Sequence, residues 1–320
     1  MVQDQSGNGF DPFGKAALAF VLGCSLIATG VTANAAAKKT LTWVGCGISK
    51  KAFMSEIAAA YEKKTGVKII LHGGGATKGI REVSAGKSDL GGSCRQVLEN
   101  PATLSPESHE RRVQMDPVAW DALAVIVHKG NPVQNITLDQ LRKVYTGQIT
   151  NWKQLGGKNA PIELYVRKGK ISGVGRTLRE LVFYDYNKVF RSPYIHVERS
   201  SGPLEQAIEK TAINGLGVTG ISSARKRKVK ILELNGKEPS YKNIQNGDYL
   251  LYRPLFLVTN LADLGNPDVQ RFSAYVHSEE GKAVIRRAGT VPYEDGIGLW
   301  LKYLDSVHKA QDHGLREISS

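Results

Sequence analysis

At 320 residues, with 41% hydrophobic and 23% charged side chains, no low-complexity tract and no repeat at solenoid periods, the chain is neither a disordered segment nor a repeat array. The length exceeds the usual size of one core, so two domains are expected. The net charge of +13 favours anionic partners, but the basic residues are spread along the chain and no nucleic-acid motif is recognisable.

The first element is a targeting segment. Lys15 precedes an apolar run over 16–29, and Ala33-Asn34-Ala35 supplies the small residues of a signal-peptidase site. The run is short and rich in Gly and Ala, unlike a membrane span. The reading adopted is a cleaved secretory signal over 1–35, a mature start at Ala36 and a periplasmic location. A competing lipoprotein box, Val21-Leu22-Gly23-Cys24, would leave Cys24 lipidated, but only residues 16–20 would precede it as apolar core.

Strand and helix patterns then alternate, which indicates α/β architecture with parallel sheets. A β-rich run at 40–44 leads to a helix that Ser49 can cap, with Phe53, Ile57, Ala60 and Tyr61 at helical spacing up to Gly66. A strand at 67–71 ends at the glycine loop Gly73-Gly74-Gly75, before a helix over 78–85. A very short strand follows at 89–92, then an irregular stretch over 96–112 in which Pro101 and Pro106 break helix. The segment 121–157, DALAVIVHKGNPVQNITLDQLRKVYTGQITNWKQLGG, reads as an apolar strand, a Gly-Asn-Pro turn, a helix opened by Thr137 and a loop carrying Asn151-Trp152.

Beyond it come strands at 162–166, 194–197 and 216–220 and helices after Gly173 and over 204–214. The basic run Arg225-Lys226-Arg227-Lys228 reads as a solvated turn before a strand at 229–234. A long apolar run at 251–258 can carry the chain back, followed by helices over 267–277 and 278–288. Residues 294–320 read as a polar tail with some helical spacing at Leu299, Leu301 and Leu304, either packed on the first lobe or loose.

The 121–157 segment resembles the phosphate-binding periplasmic proteins of ABC transporters, where such a strand crosses between lobes. Four further stretches match in order: GGGATKGIREVSAGKSDLGGSCR, PIELYVRKGKISGVGRTLRELVF, the run from NGLGVTGISS to FLVTN, and SEEGKAVIRRAGTVPY. The resemblance covers about residues 40–293. It implies an α/β, two-lobed type II periplasmic-binding-protein fold with two interlobe crossings and a ligand cleft between the lobes. The implied organisation is lobe 1 at 36–123 and 251–293, lobe 2 at 124–250, and a C-terminal tail at 294–320.

In open α/β sheets a ligand lies beyond the carboxyl ends of strands, where following helices offer unpaired N–H groups and the positive end of their dipole. Three loops of the first lobe (45–49, 73–77 and 92–95) and one of the second (172–176) have that placement. The candidate ligand-binding residues are Cys46, Gly47, Gly75, Ala76, Thr77, Cys94, Arg95, Arg167, Ser172, Gly173 and Arg176. The family grips phosphate through Ser/Thr hydroxyls, backbone amides, an Arg and often an acidic residue. This chain departs from that pattern. Cys46-Gly47 stands where Ser/Thr is usual, and Ser172-Gly173-Val174-Gly175-Arg176 replaces Ser-Gly-Ser-Gly-Thr, losing two hydroxyls and gaining a guanidinium. An anion remains the natural ligand. His72, Asp89 and Trp152 are read as structural.

Cys46 follows the first strand and Cys94 the third, so neighbouring strands would bring both thiols to the cleft. Three readings stay open: a disulfide, a pair of free thiols acting as soft ligands for arsenite or a metal, and two separate buried thiols. The expected function is capture of a small oxyanion, phosphate or a relative, for an ABC permease, by a monomer without cofactor. The alternative is a sensor on the same fold that binds a thiophilic oxyanion and signals to a membrane partner. No Ser-His-Asp order, metal motif or paired carboxylates suggest an enzyme.

Overall fold

The computed structural model describes residues 40–319 apart from 101, 102 and 104, with side chains described to His313. The signal-peptide reading and the Cys24 alternative therefore lie outside the described residues. Twelve strands follow in chain order: β1 Thr40–Gly45, β2 Lys68–Gly73, β3 Leu90–Ser93, β4 Val113–His128, β5 Asn135–Ile136, β6 Glu163–Arg167, β7 Ile195–Glu198, β8 Gly215–Gly220, β9 Val229–Ile231, β10 Glu233–Leu234, β11 Tyr252–Asn260 and β12 Val291–Pro292. The α/β expectation holds, with helices between most of the parallel strands.

Ten of these strands join in the order β2-β1-β3-β11-β4-β8-β6-β7, with β9 and β12 added on β4, while β5 and β10 pair separately. Strand β1 runs parallel to both β2 and β3, and β11 lies antiparallel between β3 and β4. The key element is β4. Residues 113–122 pair with β11, whereas Leu123–Val127 pair antiparallel with β8, which in turn runs parallel to β6. One 16-residue strand thus serves two sheets and changes partner between Ala122 and Leu123. Its residues 118–127 are all buried, which explains their almost unbroken apolar sequence. It begins eight residues before the expected 121, because Gln114, Asp116 and Pro117 break the apolar pattern of its first half.

Two glycines set how closely the first sheet is covered. The Ala76–Ser84 helix lies on β1 and β3, and a Cβ on Gly79 would meet the Val44 carbonyl oxygen at 2.7 Å. A Cβ on Gly92 would lie 2.1 Å from the Trp43 ring. Because the first obstacle is backbone, Gly79→Ala must push the helix off the sheet and is expected to cost about 1–3 kcal/mol, the range for overpacking. Urea denaturation checks this; an unchanged midpoint would mean that the helix shifts freely.

The helix opened by Thr137 has its capping box: the Thr137 hydroxyl accepts from the Gln140 amide, and the Gln140 side chain accepts from the Thr137 amide. Trp152 is buried and donates to the Asn214 carbonyl at 2.9 Å. Asp89 accepts from the Thr42 amide and hydroxyl at 2.8 and 2.7 Å, tying β1 to the start of β3.

Of the two forms open to the C-terminal segment, the described residues take the packed, helical one. Leu299–Ser319 is a helix whose buried stripe is Leu299, Tyr303, Val307 and Ala310, while Leu301 is 76% exposed. Of the three leucines only Leu299 belongs to that stripe; Tyr303, Val307 and Ala310 make the rest of the contact. Trp300 packs against Trp120 of β4 and Phe256 of β11. Farther along, Lys309 lies over the Tyr184 ring and Gln311 donates to Glu99. The helix therefore touches the paired strands β4 and β11 and the segments around Tyr184 and Glu99. No helix among the described residues is long and apolar enough to cross a membrane.

Candidate functional site

The carboxyl ends of β1, β2, β3 and β6 open onto one cavity of about 570 Å³. Its walls are loops that follow strands, most of them leading into helices. Cys46-Gly47-Ile48 follows β1, residues 74–77 follow β2, Cys94 follows β3, and residues 167–174 run from β6 into the Gly173–Leu178 helix. A further wall comes from residues 199–202, at the start of the Ser201–Lys210 helix. Four cations line it, Lys51, Arg167, Lys168 and Arg199, and no aspartate or glutamate does. First-turn N–H groups of the helices at Ala76 and Ser201 have no acceptor within their helices, so they add donors to a positive field.

Nine of the eleven expected residues line this cavity: Cys46, Gly47, Gly75, Ala76, Thr77, Cys94, Arg167, Ser172 and Gly173. Gly75 sits at φ +91° as the residue before the Ala76–Ser84 helix, a conformation that an L side chain rarely adopts. Ser172 caps its helix by accepting from the Gly175 amide at 3.2 Å, which leaves its hydroxyl proton for another acceptor. Thr77 donates to the Ile171 carbonyl at 3.2 Å, so its hydroxyl proton is already used. Arg167 donates to the Ser201 hydroxyl at 2.8 Å and the Arg199 carbonyl at 3.0 Å, and its buried Nε–H has no partner.

Arg95 and Arg176 are corrections. Arg95 does not begin a helix; residues 94–98 are irregular, and its side chain is fully buried. Its two terminal nitrogens fork onto both Glu110 oxygens at 2.8 Å, and it also donates to Gln96, Ile171 and Thr77. With all of its donor directions used, it braces the cavity wall from behind. Arg176 lies 3.7 Å above the Tyr186 ring and does not line the cavity.

Sequence reasoning missed Lys51, Ser201 and Ser223. Lys51 donates to the Ser223 hydroxyl at 2.7 Å and lies 3.5 Å from the buried carboxylate of Glu205. Glu205 also accepts from Thr219 and Ser223 at 2.6 Å and pairs with Arg227 at 3.2 Å. Ser201 could have been found from Ser200-Ser201-Gly202, a helix start after a strand, but its Ser-Gly-Pro sequence reads first as a turn. Nothing local marks Lys51 or Ser223.

At the floor of the cavity the two thiols are unbridged, buried and hydrogen-bonded to each other. Parallel pairing of Gly45 with Gly92 brings them together, and the Cys46 amide donates to the Gly92 carbonyl at 2.9 Å. The hydrogen bond from Cys94 pulls the Cys46 thiol down to about 6 against its burial, helped by the charge of Arg253 and by the Ser49 and Ile48 amides. The same hydrogen bond, then burial and the Cys46 charge, pushes Cys94 well up. Of the pair, Cys46 is thus the thiol that ionises first and Cys94 the one that keeps its proton. Arg253 is itself fully buried, donating to the Cys94 carbonyl at 3.3 Å and to Asp121 at 3.4 Å.

Comparison with known proteins places this geometry. The family model described as a PBP superfamily domain matches residues 30–280. Phosphate-binding protein PstS of Bacillus subtilis is 27% identical over 262 residues, covering 81% of this chain and 82% of its own. Protein SphX of Synechococcus elongatus is 27% identical over 251 residues, covering 74% and 72%. Among solved structures, a phosphate-bound protein from Clostridium perfringens superposes with a TM-score of 0.68 at 26% identity, covering 79% of this chain and 99% of the other. An ABC-type phosphate transport receptor from Vibrio cholerae gives 0.59 at 28% identity, with coverage of 79% and 99%.

Proposed function

From a chain that belongs to the PBP (periplasmic binding protein) superfamily, we propose an exported solute-binding protein that captures phosphate or a close oxyanion relative and delivers it to an ABC permease. The observation that carries the reading is the cavity wall: four cations, no carboxylate and helix starts from both sides. A small anion is the ligand that such a wall stabilises most, through charge and through N–H donors together. The phosphate-binding relatives point the same way.

On this reading the lobes are residues 36–123 with 251–293, and 124–250. Closure turns about β4, where it changes partner between Ala122 and Leu123, and about the return at 250–251. Lys51, Arg167, Ser172 and the amides at 75–77 hold the anion; Gly47 and Gly173 let backbone approach it. The protein acts as a monomer that presents its closed form to the permease.

The test is calorimetry with phosphate, sulfate and arsenate. Arg167→Ala is expected to weaken phosphate binding by about 1.5–3 kcal/mol, the range for a hydrogen bond to a charged group. Equal affinity in wild type and Arg167→Ala would remove that guanidinium from the site. Absence of heat with every anion at millimolar concentration would sink the oxyanion reading itself.

A further inference from the structure

The phosphate reading rests on the cationic wall and the helix starts and leaves the thiol pair in the cavity lining unused. We propose that Cys46 and Cys94 form a two-thiol subsite for a trivalent arsenic- or antimony-class oxyacid at the floor of this cleft. The proposal rests on the reading of the cleft as the solute site.

Position comes first. Both cysteines line the cavity, one at the end of β1 and the other at the end of the adjacent β3. The Cys94 sulfur faces the opposite wall. A Cβ on Gly173 would lie only 2.3 Å from it, so the glycine leaves room for sulfur where the other wall approaches. A residue that served only to fill the core would not need a backbone gap on the far side of a cleft.

Charge then selects among soft ligands. Thiol sulfur binds soft acceptors, such as monovalent copper, mercury and trivalent arsenic. Free metal cations meet Lys51, Arg167, Lys168 and Arg199 with no described carboxylate lining the cavity, although buried Glu205 offsets Lys51 from behind and Asp121 offsets Arg253 beneath. Among the described residues no group of three or more His, Cys, Asp or Glu is placed to hold a metal ion. Arsenous acid, As(OH)3, is uncharged at neutral pH and still soft at arsenic. It satisfies both the sulfur and the field.

The chemistry balances without an oxidant. Two As–O bonds break and two As–S bonds form. Each departing hydroxide takes one proton from the thiol pair or from solvent, so As(OH)3 and two thiols give (RS)2As–OH and two waters. Arsenic stays trivalent. A thiolate begins the exchange faster than a thiol. The remaining As–OH is a group that the Ser172 hydroxyl and the Arg167 guanidinium can hold.

The experiment uses the mature chain reduced with a phosphine, with arsenite as probe. Expected results are protection of both thiols from alkylation at one equivalent, and a native mass increase of one As–OH less two hydrogens. Cys46→Ser and Cys94→Ser should each weaken arsenite binding at least about 100-fold, the low end of the advantage of a second tethered contact. Alkylation unaffected by arsenite, an adduct equally tight in either single variant, or a native disulfide whose reduced form ignores arsenite would each overturn the subsite. If a serine variant fails to fold, thiol protection and mass in the wild type still decide. Phosphate titrated into wild-type protein tests the cleft separately: no phosphate binding alongside a two-thiol arsenite adduct would fail the phosphate reading and leave the subsite standing.

Discussion

Glu110→Ala is expected to lower stability by about 3–5 kcal/mol, the cost of removing one partner of a buried ion pair. Both side chains of the Arg95–Glu110 pair are fully buried, and Glu110 also accepts from the Leu98 amide at 2.9 Å and from Arg81 at 3.2 Å. Deleting the carboxylate leaves the Arg95 charge without compensation behind the cavity wall. The loss comes from the stranded charge, so Arg95→Leu with Glu110→Leu should recover much of it. Urea denaturation of both variants distinguishes this from simple packing loss, in which the double variant would be the worse. The pair also has a pH signature. Burial raises the Glu110 carboxyl, but the Arg95 fork and the Leu98 amide outweigh it and hold the group below its usual value. Its contribution is thus complete above the ordinary carboxylate range and lost as pH falls through the lowered folded value.

Arg253→Met is expected to act on stability and on thiol chemistry at once. It removes the partner of buried Asp121, again at about 3–5 kcal/mol, although the Ser222 hydroxyl still donates to that carboxylate at 2.7 Å. It also removes one of the charges that favour the Cys46 thiolate. In the wild type, alkylation of Cys46 should rise with a midpoint near pH 6; in Arg253→Met the midpoint should move up. The linkage follows. A Cys46 thiol lowered from about 9 to about 6 contributes stability that is present above the unfolded value and lost as pH falls through the folded one. Stability should therefore rise between about pH 6 and 9 and fall above that range, where the raised Cys94 must ionise. An unmoved alkylation midpoint in Arg253→Met would show that the Cys94 hydrogen bond and the backbone amides alone set the thiolate.

Much of this was legible before any coordinates. The β4 segment could be read because a strand buried on both faces needs an unbroken apolar run. The cavity glycines were visible because they lie between strand and helix patterns. The convergence of Cys46 and Cys94 followed from strand order alone. What failed shares one physical cause: long side chains choose partners that sequence distance hides. Arg95 was expected at the ligand but turns to Glu110, fifteen residues on, and Arg176 to Tyr186, ten residues on. Lys51 was overlooked because its role comes from Ser223 and Glu205, more than 150 residues away. The final helix could be read only as a tail with some helical spacing, packed or loose, because beyond Leu299 its buried stripe is carried by Tyr303, Val307 and Ala310, which periodicity in leucines does not reveal.

That final helix has a mechanical consequence. If the proposed lobes swing about their two crossings, a helix fastened by Trp300 at one end and by contacts at Tyr184 and Glu99 farther along is placed to act as a brace between them. On the proposed lobe closure, its grip is expected to limit the opening and with it the rate at which solute enters and leaves. A truncation that removes this helix, none of whose described residues lines the cavity, is then expected to change the kinetics of anion binding while leaving the cavity wall in place.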